Sequence, residues 1–199
     1  MRGAAVAGGR RGIAPGLAAL SAPARRGGAA RGRGAATFAW AGGRVTPPPP
    51  RLVDLGLPHV SLVSALHGAC FEDGWRPQTF LDLIQGGGVF GLLALDWRDR
   101  PLGFALTRLT VGEGEILTLG VLREARQQGV GKLLLSGLCA RLAVLGCHVL
   151  FLEVAETNNP AQRLYESFGF RQVGRRKDYY THLDGSREAA LVMRRDLLT

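Results

Sequence analysis

At 199 residues with 46% hydrophobic side chains, the chain has the size of one domain with extensions and enough apolar surface for a core. Its formal charge of +9 is lopsided: residues 1–50 hold eight arginines and no acid and carry +8, while the remaining 149 hold 17 basic and 16 acidic side chains and net +1. That split excludes a nucleic-acid footprint spread over the whole domain.

The first fifty residues are low-complexity Ala/Gly/Arg closed by Pro47-Pro48-Pro49-Pro50, and they cannot bury enough apolar surface to order themselves. The boundary expected from this is a disordered extension over 1–50 followed by a folded domain over 51–199. An inert or mis-started lead, a targeting segment and a weak RNA-phosphate contact all fit an acid-free, arginine-rich composition. Cys70, Cys139 and Cys147 show no metal-ligand spacing and leave an odd cysteine, as in a reduced intracellular protein. No apolar run approaches eighteen residues, so no membrane span is expected and the location expected is cytoplasmic.

Residues 57–71 repeat apolar side chains at Leu62, Val63, Leu66, Ala69 and Cys70, a helical period with Pro58 in the first turn. A second short helix follows Trp75-Arg76-Pro77 and stops at Gly86-Gly87-Gly88. Residues 89–95, 102–109 and 115–122 predict three strands whose short connections imply antiparallel pairing.

Arg126-Gln127-Gln128-Gly129-Val130-Gly131-Lys132 then lies between a strand and a leucine-rich helix. Such a turn offers unpaired helix N-terminal amides to an anion such as a pyrophosphate, and glycine lets the backbone come close. A plain turn would use the same residues. The helix is expected to bury Val130, Leu134, Leu138, Leu142 and Leu145, ending at Gly146.

Residues 149–154 are apolar on both faces except for Glu153, which predicts a covered central strand parallel to the one before the helix. A carboxylate sharing a face with Val149 and Phe151 is expected to be partly desolvated, with its pKa raised toward the range of a general base; a solvated glutamate at a strand end is the plainer alternative. Asn159 is expected to cap the next helix, with Pro160 at its first position and Tyr165 beside the buried face.

Taken together, residues 119–132, Leu152-Glu153-Val154, Asn158 and the run Leu164-Tyr165-Glu166-Ser167-Phe168-Gly169-Phe170 resemble the GNAT acetyltransferase superfamily, and within it the RimI branch of ribosomal-protein N-terminal alanine acetyltransferases. His67, Phe71, Trp75, Asp178-Tyr179-Tyr180 and the run 184–189 extend the similarity, which covers about residues 52–197. The resemblance implies a mixed, mostly antiparallel sheet flanked by helices, an α/β (α+β) fold whose two central strands splay to hold acetyl-CoA.

It implies coenzyme contacts from the backbone of Leu119, Gly120 and Val121, from Arg126, Gln127, Gln128, Gly129, Val130, Gly131 and Lys132, and from the Asn158 side chain. It further implies Glu153 as general base and Tyr165 as general acid, no metal, and a protein N-terminus as acceptor, most naturally alanine-first and ribosomal. The alternatives are a relaxed lysine or small-amine acetyltransferase, and an RNA- or ribosome-binding protein acting through its arginine tail. Two departures stand out. Gly120 replaces an alanine common in the family and should loosen its strand slightly, and Thr181-His182-Leu183 is an insert in the hairpin expected to face the acceptor.

Overall fold

The computed structural model describes residues 48–182 and 184–197. Residues 1–47, and with them nearly all of the expected disordered extension, lie outside the described residues, as does Leu183 of the hairpin insert.

Among the described residues seven strands form one sheet: β1 (Arg51–Leu55), β2 (Val89–Leu95), β3 (Pro101–Thr110), β4 (Glu113–Val121), β5 (Val149–Ala155), β6 (Arg171–Thr181) and β7 (Arg187–Asp196). Their spatial order is β1-β2-β3-β4-β5-β7-β6. Every neighbouring pair is antiparallel except β4 and β5, which are parallel because the helix α3 (Val130–Val144) carries the chain back across the sheet between them. Helices α1 (Val60–Cys70), α2 (Pro77–Gln85) and α4 (Asn159–Ser167) complete the domain.

Alternation along the strands sorts the core onto the two sheet faces. Leu92, Ala94, Ile116, Leu119, Leu150 and Leu152 pack under α3 and α4, with Leu134, Leu138, Leu142 and Tyr165 facing them. Leu93, Phe104, Leu106 and Leu117 pack under α1 and α2, against Val63, Leu66, Cys70 and Phe80.

Three sequence expectations are corrected. The meander has four strands, since β1 pairs with β2 over its full length; a five-residue edge strand beginning at an exposed arginine has too little alternation to announce itself. Strand β5 is fully covered on one face only: Leu150, Leu152 and Val154 are buried, whereas Val149, Phe151 and Glu153 keep some exposure. Leu145 is 51% exposed, because α3 ends one residue earlier, at Val144. Gly146, with φ +75°, follows in the left-handed conformation that ends helices.

Candidate active site

Parallel pairing of β4 with β5 runs through four positions, from Glu113 opposite Val149 to Ile116 opposite Leu152, and then stops. Beyond it, Leu119, Gly120 and Val121 pair only with β3, and Glu153, Val154 and Ala155 only with β7, so two strand edges part and leave a gap. A bulge drives them apart. Thr107 stands opposite Ile116 and Leu106 opposite Thr118, which makes Leu117 an extra residue on β4. An extra residue bends its strand and increases the local twist. It also shifts the alternation by one, so Ile116 and Leu119 both point toward α3.

The gap leads to the α3 N-terminus. Gln127 and Gly129 have φ of +61° and +83°, and the first helical hydrogen bond runs from the Leu133 N–H to the Gly129 carbonyl. The amides of Val130, Gly131 and Lys132 therefore precede the helical ladder, and the glycine cap brings no side-chain acceptor to them. Among the described residues nothing lies within 4 Å of the place a Cβ would take at Gly129, so its left-handed conformation explains the glycine. At Gly131 a Cβ would stand 3.2 Å from Leu164, so close approach of α4 is a second reason for that glycine. Arg126 folds back and donates from Nε to the Val121 carbonyl at 3.2 Å, tying the turn to the end of β4.

Glu153 lies where the strands part, on the face that α3 does not cover. Its side chain is only 12% exposed, and Arg176 Nε of β6 is 2.9 Å from its Oε1. Tyr179 lies beside the same carboxylate, and burial together with that negative charge pushes the Tyr179 phenol above its ordinary range.

Tyr165, expected beside the buried face of α4, is fully buried within it, hydroxyl included. It shares the inward stripe of α4 with Ala161, four residues earlier, and meets Phe170 edge-on at 5.8 Å between centroids. Burial raises its pKa, so the hydroxyl stays a proton donor. Asn158, not Asn159, is the N-cap of α4, accepting the Ala161 N–H at 3.2 Å, and Pro160 falls at the second helical position.

Three buried hydroxyls, of Thr118 on β4, Tyr165 on α4 and Tyr180 on β6, have no hydrogen-bond partner among the described residues. Buried polar atoms are rarely left so, and that of Thr118, on the stretch of β4 that borders the gap, fits a ligand with amide, carbonyl and thioester groups, as the pantetheine arm of acetyl-CoA has. The cysteines do not compete for this chemistry. All three are buried and unbridged, and burial pushes the Cys70 thiol up to about 11. Among the described residues no cluster of three or more His, Cys, Asp or Glu side chains is arranged to hold a metal ion, and none of the described helices is long and apolar enough to cross a membrane.

Sequence reasoning missed Arg176, Thr118 and the contact of Tyr179 with Glu153. The spacing of 23 residues between Glu153 and Arg176 carries no signal, because only the antiparallel return through β7 brings their strands to one face.

The fold and the gap define an acetyl-CoA-dependent N-acetyltransferase, and the chain belongs to the acetyltransferase (GNAT) family, whose sequence model matches residues 61–170. More particularly, it is similar to proteins named [ribosomal protein bS18]-alanine N-acetyltransferase. The Haemophilus influenzae relative is 40% identical over 144 residues, covering 67% of this chain and 97% of its own, and the Haemophilus ducreyi relative is 40% identical over 119 residues, covering 60% and 81%. The crystal structure of the Escherichia coli ribosomal-protein-S18-alanine N-acetyltransferase superposes with a TM-score of 0.70 at 27% identity, over 75% of this chain and 95% of that one.

Proposed function

We propose that the protein transfers the acetyl group of acetyl-CoA to the N-terminal α-amine of a protein, an alanine-first ribosomal protein being the acceptor, with Glu153 as general base and Tyr165 as general acid. The working unit in this reading is residues 51–199, acting in the cytoplasm, and residues 1–50 are an extension that catalysis does not need. The observation that carries the reading is Glu153, a nearly enclosed carboxylate standing where β4 and β5 diverge, in a chain 40% identical to relatives named for that reaction.

Acetyl-CoA supplies the activated acyl group. Its pantetheine arm falls to the backbone of Leu119, Gly120 and Val121, its pyrophosphate to Arg126, Gln127, Gln128, Gly129, Val130, Gly131 and Lys132, and a side-chain contact to Asn158. Glu153 removes the proton that keeps the amine from attacking. Backbone N–H groups near Val121 favour the negative charge that grows on the acyl oxygen. The Tyr165 hydroxyl, kept protonated by burial, donates toward the departing sulfur.

The nucleophile's own pKa favours an N-terminus. An α-amine near 7.7–8.0 is roughly a fifth to a third neutral at about pH 7.4, against about 0.1% for lysine near 10.4. A single carboxylate base has less to overcome with the α-amine.

Release of free coenzyme A on alanine-first peptides, lysine peptides and polyamines tests the acceptor. The alanine-first peptide should be turned over fastest, and a large preference for polyamines would overturn the assignment. Glu153→Gln and Tyr165→Phe should each lose about 10²–10⁴-fold in kcat/KM, the range for a positioned proton-transfer group. Removal of residues 1–50 should leave turnover intact; loss of RNA affinity alone, in a chain with no turnover to lose, would favour the RNA-binding alternative.

A further inference from the structure

A cavity of about 350 Å³ opens on the sheet face opposite α3, beside the point where β4 and β5 part. Glu113, Glu115, Phe151, Glu153, Arg108 and Arg176 line it. Two of its acids carry arginine partners of unequal quality. Arg176 Nε touches Glu153 at 2.9 Å, within hydrogen-bond range, whereas Arg108 Nη1 stands 3.9 Å from Glu115.

Arg176 is held loosely at its outer end. Its side chain is 58% exposed while that of Glu153 is 12% exposed, so the carboxylate is fixed inside and the guanidinium reaches in from solvent. The strand beneath it is irregular. Arg176 pairs with Ala190 and Tyr180 with Glu188, which leaves residues 177–179 of β6 opposite a single residue of β7. Asp178 in this bulge has φ +52°, and the bulge returns Tyr179 to Glu153, its ring 5.4 Å from the Arg176 guanidinium. The charge of Arg176 also acts on Glu115, so both carboxylates lie within its influence.

We propose that Arg176 is a placeholder for the acceptor's ammonium group: the incoming N-terminal amine displaces the guanidinium from Glu153, and Arg176 turns across the cavity to Glu115. The inference rests on Glu153 being the base of the proposed reaction. Exchange of one cation for another keeps a counter-ion on a carboxylate that would be costly to leave bare in a nearly enclosed place. It brings the ammonium within proton-transfer distance of the group that must deprotonate it. The proton passes from nitrogen to Glu153 and afterwards to solvent. The product is a neutral amide with no charge to hold against Arg176, so the return of the guanidinium to Glu153 clears the site. A blocked N-terminus has no means of entry by the same exchange.

The test measures binding of an alanine-first peptide and of the same peptide N-acetylated to the full chain by calorimetry, with coenzyme A present to prevent turnover. Arg176→Gln, which keeps a polar side chain and removes the tethered cation, should tighten the free-amine peptide roughly two- to fivefold, the worth of an exposed ion pair that no longer competes. It should leave the acetylated peptide unmoved, and Arg176→Lys should restore the parent's affinities. An unmoved or weakened free-amine peptide, or an equal shift for both peptides, overturns the exchange. Glu153→Gln assayed in parallel separates the two levels: parental turnover in that variant removes the base assignment and the exchange with it. Loss of turnover there, beside an unmoved free-amine affinity in Arg176→Gln, overturns the exchange alone.

Discussion

Glu72 Oε2 stands 3.8 Å from His182 Nδ1, joining the segment after α1 to the β6–β7 hairpin. His182 Nε2 is at the same time 3.2 Å from Glu188 of β7, whose other carboxylate oxygen accepts the Thr157 N–H at 2.8 Å. A histidine held between two acids thus connects the segment after α1 to the β6–β7 hairpin. Glu72 is 72% exposed and His182 40%, so the contact adds little stability and its influence should fall on the acceptor. Glu72→Gln is expected to raise KM for an alanine-first peptide by a few-fold, with an effect that fades as salt rises, and to leave the melting temperature nearly unchanged.

Gly120→Ala would restore the residue common in the family yet should weaken this protein. A Cβ there would stand 2.7 Å from Phe104 Cε1 and 3.1 Å from Cys70 Sγ, so the space an alanine would need is already filled. A loss of about 1–3 kcal/mol in urea denaturation is expected, the range for overpacking a core, and Phe104→Leu in the same chain should recover part of it. The expectation that glycine merely loosens the strand is thereby refined: glycine at 120 and phenylalanine at 104 are one packing choice.

Val111 and Gly112 form the two-residue turn between β3 and β4, with φ of +46° and +80°. Left-handed backbone suits asparagine and glycine in such a hairpin and is unfavourable for a β-branched side chain. Val111 is 98% exposed and has no packing to lose. Val111→Asn should stabilise the domain by about 0.5–1 kcal/mol, read as a shift in the denaturation midpoint with an unchanged slope.

His67 is fully buried, faced by the rings of Phe71, Trp75, Phe80 and Phe104 at 4.3, 4.8, 5.7 and 5.9 Å, and its Nδ1 accepts the Trp75 N–H at 3.1 Å. Burial lowers its pKa from 6.5 to about 4. The unfolded chain therefore binds a proton near pH 6.5 that the folded chain refuses until about pH 4, and in that interval the unfolded state holds more protons. Stability is complete above about 6.5 and falls as the pH drops toward 4, by on the order of 3 kcal/mol from this group. Melting curves between pH 7.5 and 4.5 should show that slope, and His67→Phe should flatten it while costing stability at neutral pH through the unpaired Trp75 N–H.

The sequence by itself determined the four helices, strands β2 to β5 and the family. The period of residues 60–70, the glycines around α3, the apolar run of β5 and the order of Glu153, Asn158 and Tyr165 were legible because helices, turns and strand alternation are written at separations of two to four residues. Membership of the acetyltransferase family followed from the same local runs.

Tertiary structure alone decided how the site is enclosed. The bulge at Leu117 that parts β4 from β5 depends on register against β3, and the pairing of Glu153 with Arg176 depends on a return strand 34 residues or more away in sequence. The single fully covered face of β5, the burial of Tyr165 and the crowding at Gly120 likewise arise where distant segments meet. Their physical reason is shared: register and packing are set by which surfaces exclude water together, and no local period records that.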